Sequence, residues 1–189
     1  MEFVVLIIKV GIILFMYFVA GPALGVISKD RDLIRRIALG FMAWWIVRPP
    51  SDFTLMLNSI EWYRGHTKGF EFNYLEAIAI GLALNALLEK REDFKWLPPA
   101  LAFWFLWVLV SCFSVVKAIE PTYVFMPAFK FAKMGFVFLG VFAAIRDERD
   151  IKAMMRGFAI GLIVQILVCL YFRYIQGAYR VIGWFEHQN

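Results

Sequence analysis

Two lysines, Lys130 and Lys133, stand inside an otherwise apolar stretch from Tyr123 to Ile145. At about 1.5 Å per helical residue they lie roughly 10 to 15 Å along it, and a spacing of three places both on one face. A charge near the centre of a bilayer costs at least about 2.5 to 3.5 kcal/mol on insertion scales, so such a group faces a cavity, a partner or an anion. Three readings stay open. The side chains snorkel to the headgroups, they form a salt bridge with Glu76 in an earlier apolar run, or the two ammonium groups bind an anionic headgroup such as a diphosphate. Glu76 itself can orient either lysine or accept a proton.

Two polar segments add candidates. Trp62-Tyr63-Arg64-Gly65-His66-Thr67-Lys68-Gly69-Phe70-Glu71 carries two glycines, a histidine and the cations Arg64 and Lys68 next to an apolar run. Glycine lets backbone amides approach an anion, so this loop can contact phosphate, although a lone His66 in a polar loop is most often just solvated. The tail holds Arg180, Gly183, Phe185 and Asn189, with an aromatic and a histidine among them, after the last apolar run. Asn85 and Gln165 are read as helix-to-helix hydrogen bonds. Cys112 and Cys169 sit in apolar runs without a second sulfur or histidine at ligand spacing, so they are packing residues and no metal is expected. No carboxylate pair, Ser-His-Asp set or phosphate-binding glycine loop points to another enzyme class, and no cofactor is expected.

The elements that must position these residues follow from composition. Of 189 residues, 62% are apolar and only 19% charged, with 20 phenylalanines and seven tryptophans, and the mean hydropathy is +0.70. A soluble domain of this length has too little interior for so much apolar surface, which excludes a disordered chain and makes lipid the solvent. The formal charge of +5 is then a topological signal, and no nucleic acid is expected as a partner. The expected fold is all-α: a polytopic membrane protein of about six transmembrane helices, at residues 3–27, 33–47, 70–88, 96–116, 123–145 and 158–175. The second is thin and needs Arg35 and Arg36 to snorkel to the interface.

Cytoplasmic loops keep an excess of Lys and Arg. Lys29, Arg31, Arg35, Arg36, Lys90, Arg91, Lys95, Arg146, Arg149, Lys152 and Arg156 fall on one side, eleven in all. Arg48, Arg64, Lys68, Lys117, Arg173 and Arg180 make six on the other. The eleven face the cytoplasm, which puts the 48–69 loop and the tail after Gln176 on the extracytoplasmic side. A tail that ends uncapped soon after a span is expected to continue into further helices.

These residues resemble the N-terminal half of the O-antigen ligase and polymerase superfamily of bacterial envelope glycan enzymes. Members carry Arg-x-x-Gly-x-Phe-x-x-x-Asn in an external loop after a helix, and Arg180, Gly183, Phe185 and Asn189 fill those places. Many members have proline before the asparagine, where this chain has Gln188. The segment Tyr63 to Glu71 is similar to one in ligase-like members of exopolysaccharide loci, where arginine is common at the place of Lys68. The resemblance implies an inverting, metal-independent transfer of glycan from undecaprenyl diphosphate to an acceptor, at the periplasmic face of the bacterial inner membrane. It also implies that Lys130, Lys133 and Arg180, with Arg64 and Lys68, hold the diphosphate, supported by Glu76, Gly183, Phe185 and Asn189. The family's large external loop with its candidate base histidine is missing, so this chain alone is expected to be inactive; the catalytic residues and the acceptor stay unknown.

The rival reading is a small membrane transporter or assembly subunit that uses Glu76, Lys130 and Lys133 as an ion or substrate path, although no inverted repeat is present. Orientation is directly testable. A tag after Gln176 in intact cells should react with a membrane-impermeant reagent, and a tag reached only after lysis of the inner membrane would leave the transfer reaction without a compartment.

Overall fold

A computed structural model describes residues 2–45, 47, 55–57, 69–89, 98–118 and 120–177. Its contacts divide the chain into two compact units. Met1–Lys29 and Thr54–Ala144 form the first, and Asp30–Phe53 and Ile145–Asn189 form the second.

In the first unit α1 (Glu2–Phe15) passes through a π-helical turn, Met16–Ala20, into α2 (Gly21–Lys29). Pro22 explains the widened turn: it has no N–H to give the carbonyl four residues back, and its ring crowds that carbonyl. The Gly21 N–H instead donates to Met16 five residues back. The strands β1 (Leu55–Leu57) and β2 (Phe70–Phe72) pair antiparallel, Met56 opposite Glu71. Then come α4 (Tyr74–Leu88), α5 (Pro99–Cys112) with a 3-10 extension to Lys117, and α6 (Thr122–Ala144).

Small residues set the packing here, as expected where lipid supplies no hydrophobic drive between helices. Gly21 lies against Ala77 and Gly25 against Gly81, where an added Cβ would stand 2.6 Å from the Gly81 carbonyl. Further along, the Asn85 amide donates to Ser28 Oγ at 2.8 Å. These contacts advance together, so α2 and α4 are parallel. The pairs Glu76 with Lys133 and Ala79 with Gly140 make α4 and α6 parallel as well. In contrast α5 runs against α6, since Trp107 meets Phe131 while Trp104, one turn earlier, meets Gly135.

The second unit pairs α3 (Asp32–Trp45) with α7 (Glu148–Leu170), which continues into a π-helical turn to Ile175. Arg36 meets Asp150, Gly40 lies against Gly157, and Trp44 against Gly161, so these two helices are also parallel. Arg35 does not snorkel. It is 1% exposed and donates through Nη2 to both oxygens of Asp150, itself 0% exposed, at 3.1 Å. Asp150 also accepts the backbone N–H groups of Arg146 at 2.9 Å and Asp147 at 3.3 Å. A carboxylate so close draws the guanidinium inward, because an ion pair with satisfied hydrogen bonds tolerates burial and a lone charge does not. Gln165 departs from expectation too: its amide nitrogen reaches Cys169, one turn on in its own helix, at 3.9 Å.

Among the described residues four helices are long and apolar enough to cross a membrane: Val4–Lys29, Pro99–Lys117, Thr122–Ala144 and Glu148–Ile175. At 14 and 15 residues α3 and α4 are about 21 to 22 Å long, short of the roughly 20 residues a span needs. Two boundaries move. The run 70–88 begins as strand, because the Asn73 side chain accepts the N–H groups of Leu75 and Glu76 and starts the helix only at Tyr74. The last helix begins at Glu148, ten residues before the expected 158, where Asp147 and Asp150 form a capping box. Apolar side chains such as Phe18, Phe103, Ile163 and Leu167 point outward. In water that surface would drive association; in a bilayer it is the lipid contact.

A Cβ on Gly157 would collide with the Gly40 carbonyl, whereas one on Gly11 meets nothing within 4 Å. Gly157→Val should therefore cost about 1 to 3 kcal/mol or more and lower the melting temperature in detergent, with Gly11→Val as the near-neutral control.

Candidate functional site

The first unit contains one polar centre built from four elements. Its axis is Glu76, buried in the first turn of α4. One carboxylate oxygen, Oε2, accepts the Asn73 N–H at 2.7 Å, which makes Glu76 half of the capping box that starts its own helix. The same oxygen accepts a short hydrogen bond from the Tyr17 hydroxyl. Its other oxygen, Oε1, is 2.8 Å from Lys133 Nζ. Both lone-pair-bearing atoms of this acid are thus committed.

Lys133 is equally engaged. Its ammonium also donates to the Glu71 backbone carbonyl and lies 5.3 Å from the ring centroid of Phe72 and 5.1 Å from that of Phe129. Phe129 packs on Phe70 at 5.4 Å and on Phe72 at 5.6 Å, and Phe72 in turn meets Tyr17 at 5.9 Å. The strand β2 is therefore held to α6 by aromatic edges and one partly buried cation, each cation–π contact adding about 0.5 to 2 kcal/mol according to its desolvation. Lys130, one turn earlier on α6, pairs with the Glu71 carboxylate at 3.3 Å.

Of the residues singled out in the sequence, Lys130, Lys133 and Glu76 come together. Glu71 joins them from β2, not from a helical turn before Glu76. Arg64, Lys68, Arg180, Gly183, Phe185 and Asn189 lie outside the described residues, although Lys68 precedes β2 by two positions in the chain. The two lysines are not equivalent. Lys133 has a carboxylate, a carbonyl and two rings around it and a side chain 12% exposed. Among the described residues Lys130 has one carboxylate and is 32% exposed. Of the two lysines, Lys130 is the one with more of its side chain open to a further anion.

Tyr17 was not among the residues drawn from the sequence. The available signal was Gly21-Pro22: proline inside a membrane-length apolar run marks a π-helical turn, and such turns gather at functional sites. Among the described residues no group of His, Cys, Asp and Glu could hold a metal ion. No protein-family model, curated protein or solved structure matches the sequence.

The Glu76–Lys133 pair gives a direct energetic test. Glu76→Gln or Lys133→Met alone strands a desolvated partner and should destabilise by roughly 3 to 5 kcal/mol. The double variant should be clearly more stable than the sum of the two, and strictly additive melting shifts would show that the pair does not interact.

Proposed function

We propose that this chain supplies the carrier-lipid-binding helices of an envelope glycan transferase of the O-antigen ligase and polymerase kind. Its substrate would be an undecaprenyl-diphosphate-linked glycan at the periplasmic face of the bacterial inner membrane. The observation that carries the reading is Lys130: a cation inside a membrane-length helix, partly exposed, with a single carboxylate partner on the strand that follows Lys68. In an inverting transfer the acceptor hydroxyl gives its proton to a general base and forms a new bond to the sugar's anomeric carbon while the bond to the diphosphate breaks. The departing oxyanion gains charge, and a fixed cation stabilises it without covalent chemistry. Lys130 would exchange Glu71 for the diphosphate. Lys133 and Glu76 would hold β2 and α6 in register around it, and Arg64, Lys68 and Arg180 would add further positive charge.

One observation favours a second reading as transporter or assembly subunit. Tyr17, Glu76 and Lys133 form a continuous, partly buried chain of polar contacts from the π-helical turn through α4 to α6, the arrangement an ion relay would use.

Two assays on the purified chain separate these readings. In nanodiscs, undecaprenyl diphosphate should bind about tenfold more weakly to Lys130→Gln than to wild type, with Lys130→Arg restoring most of the affinity and undecaprenol failing to compete. Equal binding by Lys130→Gln removes Lys130 from the site. In proteoliposomes, a proton flux abolished by Glu76→Gln would favour transport instead.

A further inference from the structure

A second charged surface lies in the unit formed by α3 and α7. An open groove of about 760 Å³ runs between these helices, with Arg36, Arg149, Lys152 and Arg156 at its basic end. Apolar side chains of Ile37, Phe41, Trp44 and Ile160 complete the lining, with Trp44 and Ile160 beyond the last cation, and the facing glycines Gly40 and Gly157 deepen the floor. On α7 the spacing 149, 152, 156 places three cations on one helix face.

These cations differ in what already neutralises them. Arg36 is bound to Asp150 at 3.2 Å and to Asp147 at 3.1 Å. Lys152 has an exposed partner, Glu148, one turn back at 3.2 Å, a kind of pair worth little in solvent. Arg149 and Arg156 are exposed and have no ion pair among the described residues. The groove thus joins a cationic stretch, in which Arg149 and Arg156 keep their charge unpaired among the described residues, to an apolar trough bordered by Trp44, an indole of the type that anchors at the headgroup level.

We propose that this groove binds one anionic phospholipid, its phosphate held by Arg149, Lys152 and Arg156 and an acyl chain lying along Ile37, Phe41 and Ile160. Basic pockets between membrane helices select anionic headgroups by charge, and arginine can meet phosphate through two parallel hydrogen bonds. A free phosphate would use the charged end and leave the trough empty; a neutral lipid would use the trough and leave the arginines unmatched. Only a molecule with both parts matches the whole groove. The site lies in the unit that does not contain Lys130, and it needs no glycan chemistry.

The test is native mass spectrometry of the full chain released from detergent with phosphatidylglycerol or phosphatidylcholine of identical acyl chains. Wild type should retain one phosphatidylglycerol in clear preference to phosphatidylcholine, and inorganic phosphate at millimolar concentration should not displace it. Each cation removed should weaken retention about fivefold, so Arg149→Gln with Arg156→Gln should weaken it about 25-fold, while Lys117→Gln, on the other unit, should not. Equal retention of the two lipids by wild type, displacement by inorganic phosphate, or undiminished retention by the double variant would each overturn the proposal. The headgroup comparison needs no variant, so it holds even if the substitutions impair folding.

Discussion

A charge carried into lipid must be neutralised within hydrogen-bond reach, because the alternative is a desolvation cost of several kcal/mol for each ion. This constraint organises both units. In one, Asp150 takes the ends of Arg35 and Arg36 and the two N–H groups that begin α7. In the other, Glu76 takes Lys133, Tyr17 and the N–H that begins α4. In each case a single carboxylate both starts a helix and ties it to its neighbour. Capping and tertiary pairing are the same interaction, so the helix cannot begin elsewhere without abandoning a buried cation.

The backbone approach of the helices completes this arrangement. Lipid tails solvate leucine as well as a neighbouring helix does, so association relies on close van der Waals contact and on polar groups that find each other. Gly21, Gly25 and Gly81 between α2 and α4, and Gly40 and Gly157 between α3 and α7, allow that contact. Tight glycine seams with a polar lock near one end, Asn85 on Ser28 or Asp150 on Arg35, fix register along the helix axis as well as distance. The large aromatic side chains are then free to face outward or to brace β2.

The functional reading rests on an asymmetry that this packing creates. Lys130, Lys133, Glu71 and Glu76 form two pairs of opposite sign, so each of these charges faces its opposite. One pair is enclosed and holds the architecture. The other lies at the edge and is more exposed, 32% at Lys130 against 12% at Lys133. The basic end of the α3–α7 groove is different, because Arg149 and Arg156 are exposed and have no ion pair among the described residues.

Apolar runs near the length of a bilayer crossing, read against so few charges, were enough to establish a helical membrane protein, because lipid demands that every backbone group be satisfied within a helix or closed barrel. The same reading isolated Lys130, Lys133 and Glu76, since an ionisable residue in such a run stands out by its cost alone. The partner of each charge was another matter. Sequence alone places Arg35 at the headgroups, whereas Asp150, 115 positions away, holds it inside, and Asn73 starts the helix only after Glu71, which stays in a strand. Tyr17 carried no sequence signal beyond a nearby proline. Local energetics fix which stretches are helical and which charges are expensive. Which charges meet depends on helix direction and on glycine-scale approach between distant segments, and those exist only once the chain has packed.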